Sequence, residues 1–454
     1  MQLAQAEKIK LLVETSKKLL RRQAVPHLKN LIDKTHASDV ALMLHHLDPK
    51  EKQAVFSFIK SSHIQADVLS EMEEGDIPLV LEGLETEKVC RIFKEMSSDD
   101  VADILTLLPE PMSSEILKLM EAAQSEEVED LLQYEEDSAG GIMDPQFFAL
   151  DENMTVGEAI QKLQEESSEQ EMVFYIYVVN SIGQLVGVIS LRQLLTVKPQ
   201  KKLSEIMSTD VIRVTTHEDQ EEVAKLVSQY NILAVPVVDE NNKLVGIVTV
   251  DDVIDVMREE ATEDILKMAS VGNVDVLDLS SLKSVRARFP WLLASFLSGL
   301  VALSIIGKFQ STIGKMAVLS GFIPIILGMG GNVGTQTSAV IVRGLATGRV
   351  VLDQLWKVLF KELKVGGVLA LLYGVVLGFG VQLISGEHPR LGIVVGTSLF
   401  LVMTIAAVLG AFLPIIFKKF QFDPALATGP FITTAIDVVS TLIFFNLVHL
   451  FLHI

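Results

Sequence analysis

Thr428-Gly-Pro-Phe-Ile-Thr-Thr-Ala-Ile-Asp437-Val-Val-Ser440 is the stretch on which the reading of this chain turns. Across residues 424–454 Asp437 is the sole Asp, Glu, Lys or Arg, and a run that long and apolar spans a bilayer. A carboxylate inside such a helix costs about 2.5–3.5 kcal/mol on insertion scales, so it is expected to serve function and to require a partner. Gly429, Thr433, Asp437 and Thr441 recur every four residues and form one small, polar stripe, beside which Pro430 frees backbone carbonyls.

Charge-free runs at 289–307, 316–342, 365–386 and 391–417 bring the expected count to five spans. An odd count puts the termini on opposite sides. With the soluble half inside, Arg286, Arg288, Arg343, Arg349, Lys357, Lys361, Lys364, Lys418 and Lys419 fall on the cytoplasmic flank and Lys308, Lys315 and Arg390 outside, as the positive-inside rule requires. The second run holds Gly328-Met-Gly-Gly-Asn332-Val-Gly-Thr-Gln336-Thr-Ser338. Its glycines lack the Gly-Lys-Ser/Thr and preceding strand of a phosphate loop. Small residues in a membrane helix signal close packing, which leaves Asn332, Thr335 and Gln336 unexplained; polar amides at that depth are tolerated where they line a water-filled cavity. No Lys or Arg lies within the core of any span to neutralise Asp437, so its partner is a proton, a polar group or a mobile cation. A two-fold dimer that brings two copies of Asp437 to a common axis is the economical way to enclose a conduit.

Residues 283–454 carry thirteen Lys and Arg against five Asp and Glu, a net +8, which leaves −28 on the first 282 residues of a chain whose total is −20. So dense a negative charge repels nucleic acid and favours a cation. Cys90 is the single cysteine, which excludes an intrachain disulfide and suits a reducing compartment. Residues 1–20 lack the uninterrupted apolar core of a signal peptide, so the soluble half is expected in the cytoplasm.

Residues 1–134 show apolar positions at three- and four-residue spacing, punctuated by turn signals, which predicts a small array of helices. Ser38-Asp-Val-Ala-Leu-Met-Leu-His-His-Leu47 and Ser98-Asp-Asp-Val-Ala-Asp-Ile-Leu-Thr-Leu-Leu108 read as copies of one unit. Asp99 and Asp103, four apart on a helix, either cap and solvate its start or contribute to a cation site.

In residues 142–257 the anchors Ile142-Met143-Asp144 and Gln184-Leu-Val-Gly-Val-Ile-Ser190 recur as Ile206-Met207-Ser208 and Lys243-Leu-Val-Gly-Ile-Val-Thr249. This tandem of roughly 60-residue units, with strands at 174–179 and 234–238, resembles a pair of CBS domains, β-α-β-β-α units packed as a pseudo-symmetric disc. Such pairs often bind adenine nucleotides through an acid three residues after the Ser or Thr that follows the glycine-bearing strand. Thr249-Val-Asp-Asp252 keeps that acid and Ser190-Leu-Arg-Gln193 has lost it, so ATP as a regulator, near Tyr175 and Arg192, stays open. Asp251, Asp252, Asp255, Glu259, Glu260, Glu263 and Asp264 crowd the following helix, which reads either as a solvated face or as a divalent-ion sensor.

The fold class expected is a multidomain membrane protein: an α-helical, superhelical N-terminal domain (1–138), α/β tandem CBS domains (139–262), a connecting or plug helix region (263–288) and a five-helix α transmembrane domain (289–454). That layout, with Gly-Gly-Asn332-Val-Gly-Thr-Gln336 and Asp423-Pro-Ala…Gly429-Pro-Phe…Asp437, resembles the MgtE family of magnesium channels and transporters over essentially the whole chain. The resemblance implies a homodimer in the plasma membrane whose second and fifth spans line the pore, with the C-terminus outside. It makes Asp437 the pore carboxylate, has Asn332, Gly429 and Thr433 help to hold a hydrated Mg²⁺, and places Asp423 at the cytoplasmic mouth. It further implies regulatory Mg²⁺ at Asp99, Asp103, Asp219, Glu221, Asp252, Asp255, Glu263 and Asp264, with Asn231 standing where the family pattern has an acid.

Mg²⁺ binds oxygen in octahedral geometry and sheds water reluctantly, which suits one or two carboxylates better than a full protein cage. The expected function is therefore inward Mg²⁺ flux, gated by cytosolic Mg²⁺ on the acidic domains and serving magnesium homeostasis. Transport of Co²⁺ or Mn²⁺ and proton-coupled exchange through Asp437 are the rivals. An intramembrane metalloprotease needs His-Glu-x-x-His, which the chain lacks, so no enzyme is expected.

Overall fold

The computed structural model describes residues 2–166, 174–269, 271, 281–350, 354–384 and 390–452. It divides into two compact units, Met1–Arg258 and Glu259–Ile454. Of the expected connecting region, residues 270 and 272–280 lie outside the described residues.

The first unit opens with short helices: α1 (Gln2–Arg21), α2 (Val25–Ile32), α3 (Ala37–His45), α4 (Pro49–Ser57), α5 (Ser62–Ser70), α6 (Ile77–Leu81), α7 (Thr86–Phe93), α8 (Ser98–Leu107), α9 (Glu110–Leu119) and α10 (Ala122–Leu131). Each stops early because polar capping residues restart the chain every ten or so positions. His36, Asp48, Ser61 and Ser97 all sit extended before a helix, and Asp48 with Glu51 forms a capping box. The two stretches read as copies match in burial as well as sequence. Val40, Ala41, Met43 and Leu44 on α3 and Val101, Ala102, Ile104 and Leu105 on α8 fill the core at the same spacing.

Next come β1 (Ala149–Asp151), α11 (Val156–Glu166), β2 (Tyr175–Val179), β3 (Leu185–Ser190) and α12 (Leu191–Thr196), then β4 (Val214–Thr215), α13 (Gln220–Tyr230), β5 (Ala234–Val238), β6 (Leu244–Thr249) and α14 (Val250–Met268). In each half the first strand pairs parallel with the second, and the second antiparallel with the third, with the same bulge after Val178 and Val237. The recurring anchors hold the two halves to each other reciprocally. Met143 lies over Gly246 and Met207 over Gly187, where an added Cβ would come within 2.7 Å and 2.4 Å of the sulfur. Asp144 exchanges backbone hydrogen bonds with Ile247 at 2.8 and 2.9 Å, and Ser208 with Val188 at 3.0 Å both ways. The glycine and the Ile-Met pair recur because each half supplies the cover for the other.

The second unit holds α15 (Ser281–Lys308), α16 (Gln310–Lys315), α17 (Ile323–Ala346), α18 (Leu355–Ile384), α19 (Leu391–Lys419) and α20 (Pro430–Leu452). Five of its helices are long and apolar enough to cross a membrane. The basic stretch before the first span is helical and leads into it, α15 running from Ser281 through Pro290 to Lys308. Central among the five is α19, which packs on α17, α18 and α20 and is half buried along its most apolar window. Glycines set those contacts. An added Cβ on Gly410 would lie 2.4 Å from the Gly334 carbonyl oxygen, and one on Gly396 2.6 Å from that of Gly374. With lipid as apolar as the side chains, backbone approach of this kind supplies much of the attraction between membrane helices.

Gly410→Leu should therefore lower the melting temperature of the detergent-solubilised protein, the clash being with backbone that cannot turn aside and overpacking costing about 1–3 kcal/mol. Gly367→Ala, with nothing within 4 Å of the added carbon, should leave the transition in place.

Candidate ion pathway and acidic sensor site

The glycines of α17 divide between two faces. Gly330 and Gly334 are buried against Ile436, with Ser440 and Ile432 beside it on α20, so close packing accounts for them. Gly328 and Gly331 have nothing within 4 Å of an added Cβ, and Gly328, Asn332, Gln336 and Val340 make an exposed row at four-residue spacing. The polar amides thus sit on the side turned away from the α20 contact.

On α20, Ile432, Ile436 and Ser440 are buried, while Thr433 and Asp437 follow one residue later on the half-buried flank. Thr433 Oγ1 donates to the Gly429 carbonyl at 3.0 Å, and Thr441 Oγ1 donates to that of Asp437 at 2.7 Å. The bond of Thr433 spends its hydroxyl proton and leaves its oxygen as an acceptor, the character a cation requires. Thr441 itself is buried, so the polar stripe ends effectively at Asp437. Among the described residues the Asp437 carboxylate has no hydrogen bond or ion pair. Gly429 joins the stripe with φ +54°, a left-handed turn that starts α20 at Pro430.

Asp423 lies at the foot of α20. Its Oδ1 accepts from Ala425 N–H at 2.7 Å and caps the turn Pro424–Ala427, and its Oδ2 accepts from Lys267 Nζ at 2.6 Å. Lys267 also reaches Glu263 Oε1 at 2.6 Å, one turn back on α14. Partial burial works against the ammonium, but its bonds to Asp423 and Glu263 outweigh that and hold its pKa above the ordinary lysine value.

A second gathering of acids lies in the first unit. Asp99 at the start of α8 is 8% exposed and its Oδ1 has no partner. Burial, then the neighbouring Asp100, raises its pKa to about 6. Asp252 on α14, which accepts from Thr249 Oγ1, is pushed up to about 8 by burial and by Asp99. Burial, with Asp99 next, lifts Asp144 to about 7, and burial also raises Asp100, whose carboxylate accepts from Ser70 Oγ at 2.6 Å. Asp100 and Asp144 were not among the residues singled out from sequence. Asp144 was visible only as the third residue of a repeated anchor, and its burial follows from the cross-packing of the two halves.

The other expected sensor acids are placed differently. Asp103 is exposed, Asp219 caps α13 through Glu221 N–H at 2.8 Å, and Glu221 pairs with Lys225 at 3.0 Å. Asp255 is exposed and pairs with Arg258 at 3.2 Å, and Asp264 is half-buried. Asn231 ends α13 at φ +53°, a conformation asparagine tolerates better than other side chains do. Tyr175 Oη accepts from Leu233 N–H at 3.4 Å, Arg192 is exposed, and the Gln193 amide that replaces the expected acid donates to the Ile206 carbonyl. Among the described residues no three His, Cys, Asp or Glu side chains converge into a ready metal cage. Dispersed carboxylates suit an ion that keeps its water better than one that is stripped.

Family models match in the same order as these parts. The MgtE intracellular N domain covers residues 35–137, CBS domains cover 139–199 and 203–259, and MgtE, described as a divalent cation transporter, covers 323–447. The magnesium transporter MgtE of Bacillus subtilis is 36% identical over 439 residues, 96% of each chain. That of Thermus thermophilus is 38% identical over 438 residues, 94% of this chain and 95% of that one. A solved structure of the cytosolic domain of the Mg²⁺ channel MgtE in complex with ATP is 36% identical, covers 54% of this chain and 99% of its own, and superposes with a TM-score of 0.51. With relatives matched from end to end, and with all three domain types in register, the chain belongs to the MgtE family of divalent cation transporters.

Proposed function

We propose that this chain carries Mg²⁺ inward across the plasma membrane, as a homodimer, and that cytosolic Mg²⁺ closes it. The observation that supports the pathway is the unpaired Asp437 carboxylate on α20, which packs through Gly330 and Gly334 on α17, the helix whose exposed side carries the row Gly328, Asn332 and Gln336. In a two-fold dimer the polar positions of α17 and α20 from both chains are gathered around one axis. A hydrated Mg²⁺ would then meet two carboxylates, with the Asn332 amide and the oxygens of Thr433 and Gly429 reaching its water. The membrane potential alone drives entry, supplying about 2.3 kcal/mol per charge per 100 mV, hence roughly 4.6 for a divalent ion. Full-length relatives named as magnesium transporters favour Mg²⁺ over Co²⁺ or Mn²⁺ as cargo. The orientation that puts the acidic unit in the cytoplasm and the C-terminus outside rests on the basic residues flanking the spans.

Closure rests on the partly desolvated acids of the first unit. Asp99, Asp100, Asp144 and Asp252 lie near enough for neighbouring acids to raise their pKa values, and a divalent ion beside them, held through its water, relieves that repulsion. When the ion leaves, the same charges push the helical domain from the CBS pair. ATP enters as a modulator near Tyr175 and Arg192, supported by the ATP complex of the related cytosolic domain.

Asp437→Ala in proteoliposomes should abolish Mg²⁺ flux while leaving the melting temperature near that of the parent, and undiminished flux would refute the pore assignment. Flux measured with and without a pH gradient, against competing Co²⁺ and Mn²⁺, separates the channel from proton-coupled exchange and settles the cargo.

The acids also predict a pH dependence. Their folded-state pKa values lie above the ordinary 3.8, at about 6 for Asp99, 7 for Asp144 and 8 for Asp252. The closed packing therefore binds more protons than the open one, and its stability falls as pH rises from near 4 through these values. In chelator, protease resistance of the cytosolic region should drop between pH 5 and pH 8 and be restored at pH 8 by Mg²⁺. Asp252→Asn should flatten the pH response.

A further inference from the structure

The foot of α20 holds a cation of the chain's own. Lys267 Nζ stands 2.6 Å from Glu263 Oε1 and 2.6 Å from Asp423 Oδ2, so the two carboxylate oxygens lie within about 5.2 Å of each other with one ammonium between them. All three side chains are between 23% and 30% exposed, open enough for water and ions to reach them. Glu263 and Lys267 are spaced i, i+4 on α14, an arrangement a helix holds without outside help. Asp423 is committed on its other oxygen to Ala425 N–H, the cap of the turn that runs through Thr428 and Gly429 into Pro430. Seven residues along α20, about 10 Å at the helical rise, is Asp437.

Two carboxylate oxygens at that separation are what a divalent cation bridges, directly or through its water, since Mg²⁺ places its ligands about 2.0–2.1 Å away. One oxygen of Asp423 faces Lys267 and the other is used by the backbone, so a metal ion that comes to Asp423 meets the positive charge of the ammonium at the same carboxylate and competes with it. We propose that Lys267 is a tethered competitor of the divalent cation at Asp423 and Glu263, a positioning residue that sets the Mg²⁺ concentration at which the foot of the pore helix changes its partner. At low Mg²⁺ the ammonium bridges α14 to the turn before α20. At high Mg²⁺ the metal replaces it, and the bridge between the same elements passes through the ion. The site gains one positive charge in the exchange, and the lysine, tethered four residues from Glu263, remains poised to return.

This inference rests on the proposed closure by cytosolic Mg²⁺, and the test separates the two. The full-length protein is reconstituted in liposomes, and the Mg²⁺ midpoints are measured for flux inhibition and for protease protection of residues beyond α14. Lys267→Met keeps the length of the side chain and removes the competing charge, so both midpoints should fall about tenfold, the effect of about 1.4 kcal/mol of lost competition. Lys267→Arg keeps the charge and should hold both midpoints within about twofold of the parent. In an Asp423→Asn background Lys267→Met should no longer shift them. A parent midpoint that Lys267→Met leaves in place or raises overturns the competitor role alone, since a merely structural clamp would weaken closure when cut. A parent with no Mg²⁺ midpoint in either readout overturns the closure reading and this inference together.

Discussion

A carboxylate at membrane depth without a fixed cation beside it is the constraint on which the rest of this molecule depends. Desolvation penalises its charge, and no lysine or arginine in the described spans comes to neutralise it. The surrounding helices respond in a definite way. Gly330 and Gly334 let α17 lie flush against α20 so that Asn332 and Gln336 stay on the outer face, and Gly410 brings α19 in behind. The apolar packing is thus arranged so that one polar face is left over. A face of that kind is stable in a membrane only where water or an ion covers it.

The same physics operates in the first unit. There several carboxylates are crowded and partly desolvated in a water-soluble region, and their pKa values climb because neither burial nor neighbouring acids favour charge. In the proposed cycle one ion relieves both situations, passing the membrane carboxylate and settling among the cytosolic ones. Lys267 between Glu263 and Asp423 shows a third solution, an organic cation supplied by the chain. The proposed cycle thus gives these acids two kinds of partner, a mobile ion and a lysine fixed in the chain.

Much of this was legible beforehand, for identifiable reasons. Membrane spans announce themselves because a bilayer demands some twenty apolar residues, and each of the five expected runs overlaps one of the five long apolar helices among the described residues. The tandem repeat could be seen because each half needs its glycine and its Ile-Met pair for the reciprocal cover. What stayed hidden were choices among acids. Asp99 and Asp103 share a helix at i, i+4, yet one is buried beside Asp252 and the other faces solvent. Asp219, Glu221 and Asp255 have the right type and neighbourhood, but a helix cap, Lys225 and Arg258 already engage them. Asp100 and Asp144 belong to the partly desolvated group without any local mark.

By itself, then, the sequence determined the composition of the parts: an acidic helical array, a CBS pair, five apolar spans and one carboxylate out of place among them. Those follow from periodicity, length and charge, which are local properties. Only the tertiary structure decided which carboxylates are desolvated together, which glycines pack and which stay open, and that Lys267 pairs with Asp423 at the foot of α20. The reason is that desolvation and charge pairing act between residues more than a hundred positions apart. No spacing along the chain encodes a distance such as the 2.6 Å from Lys267 to Asp423.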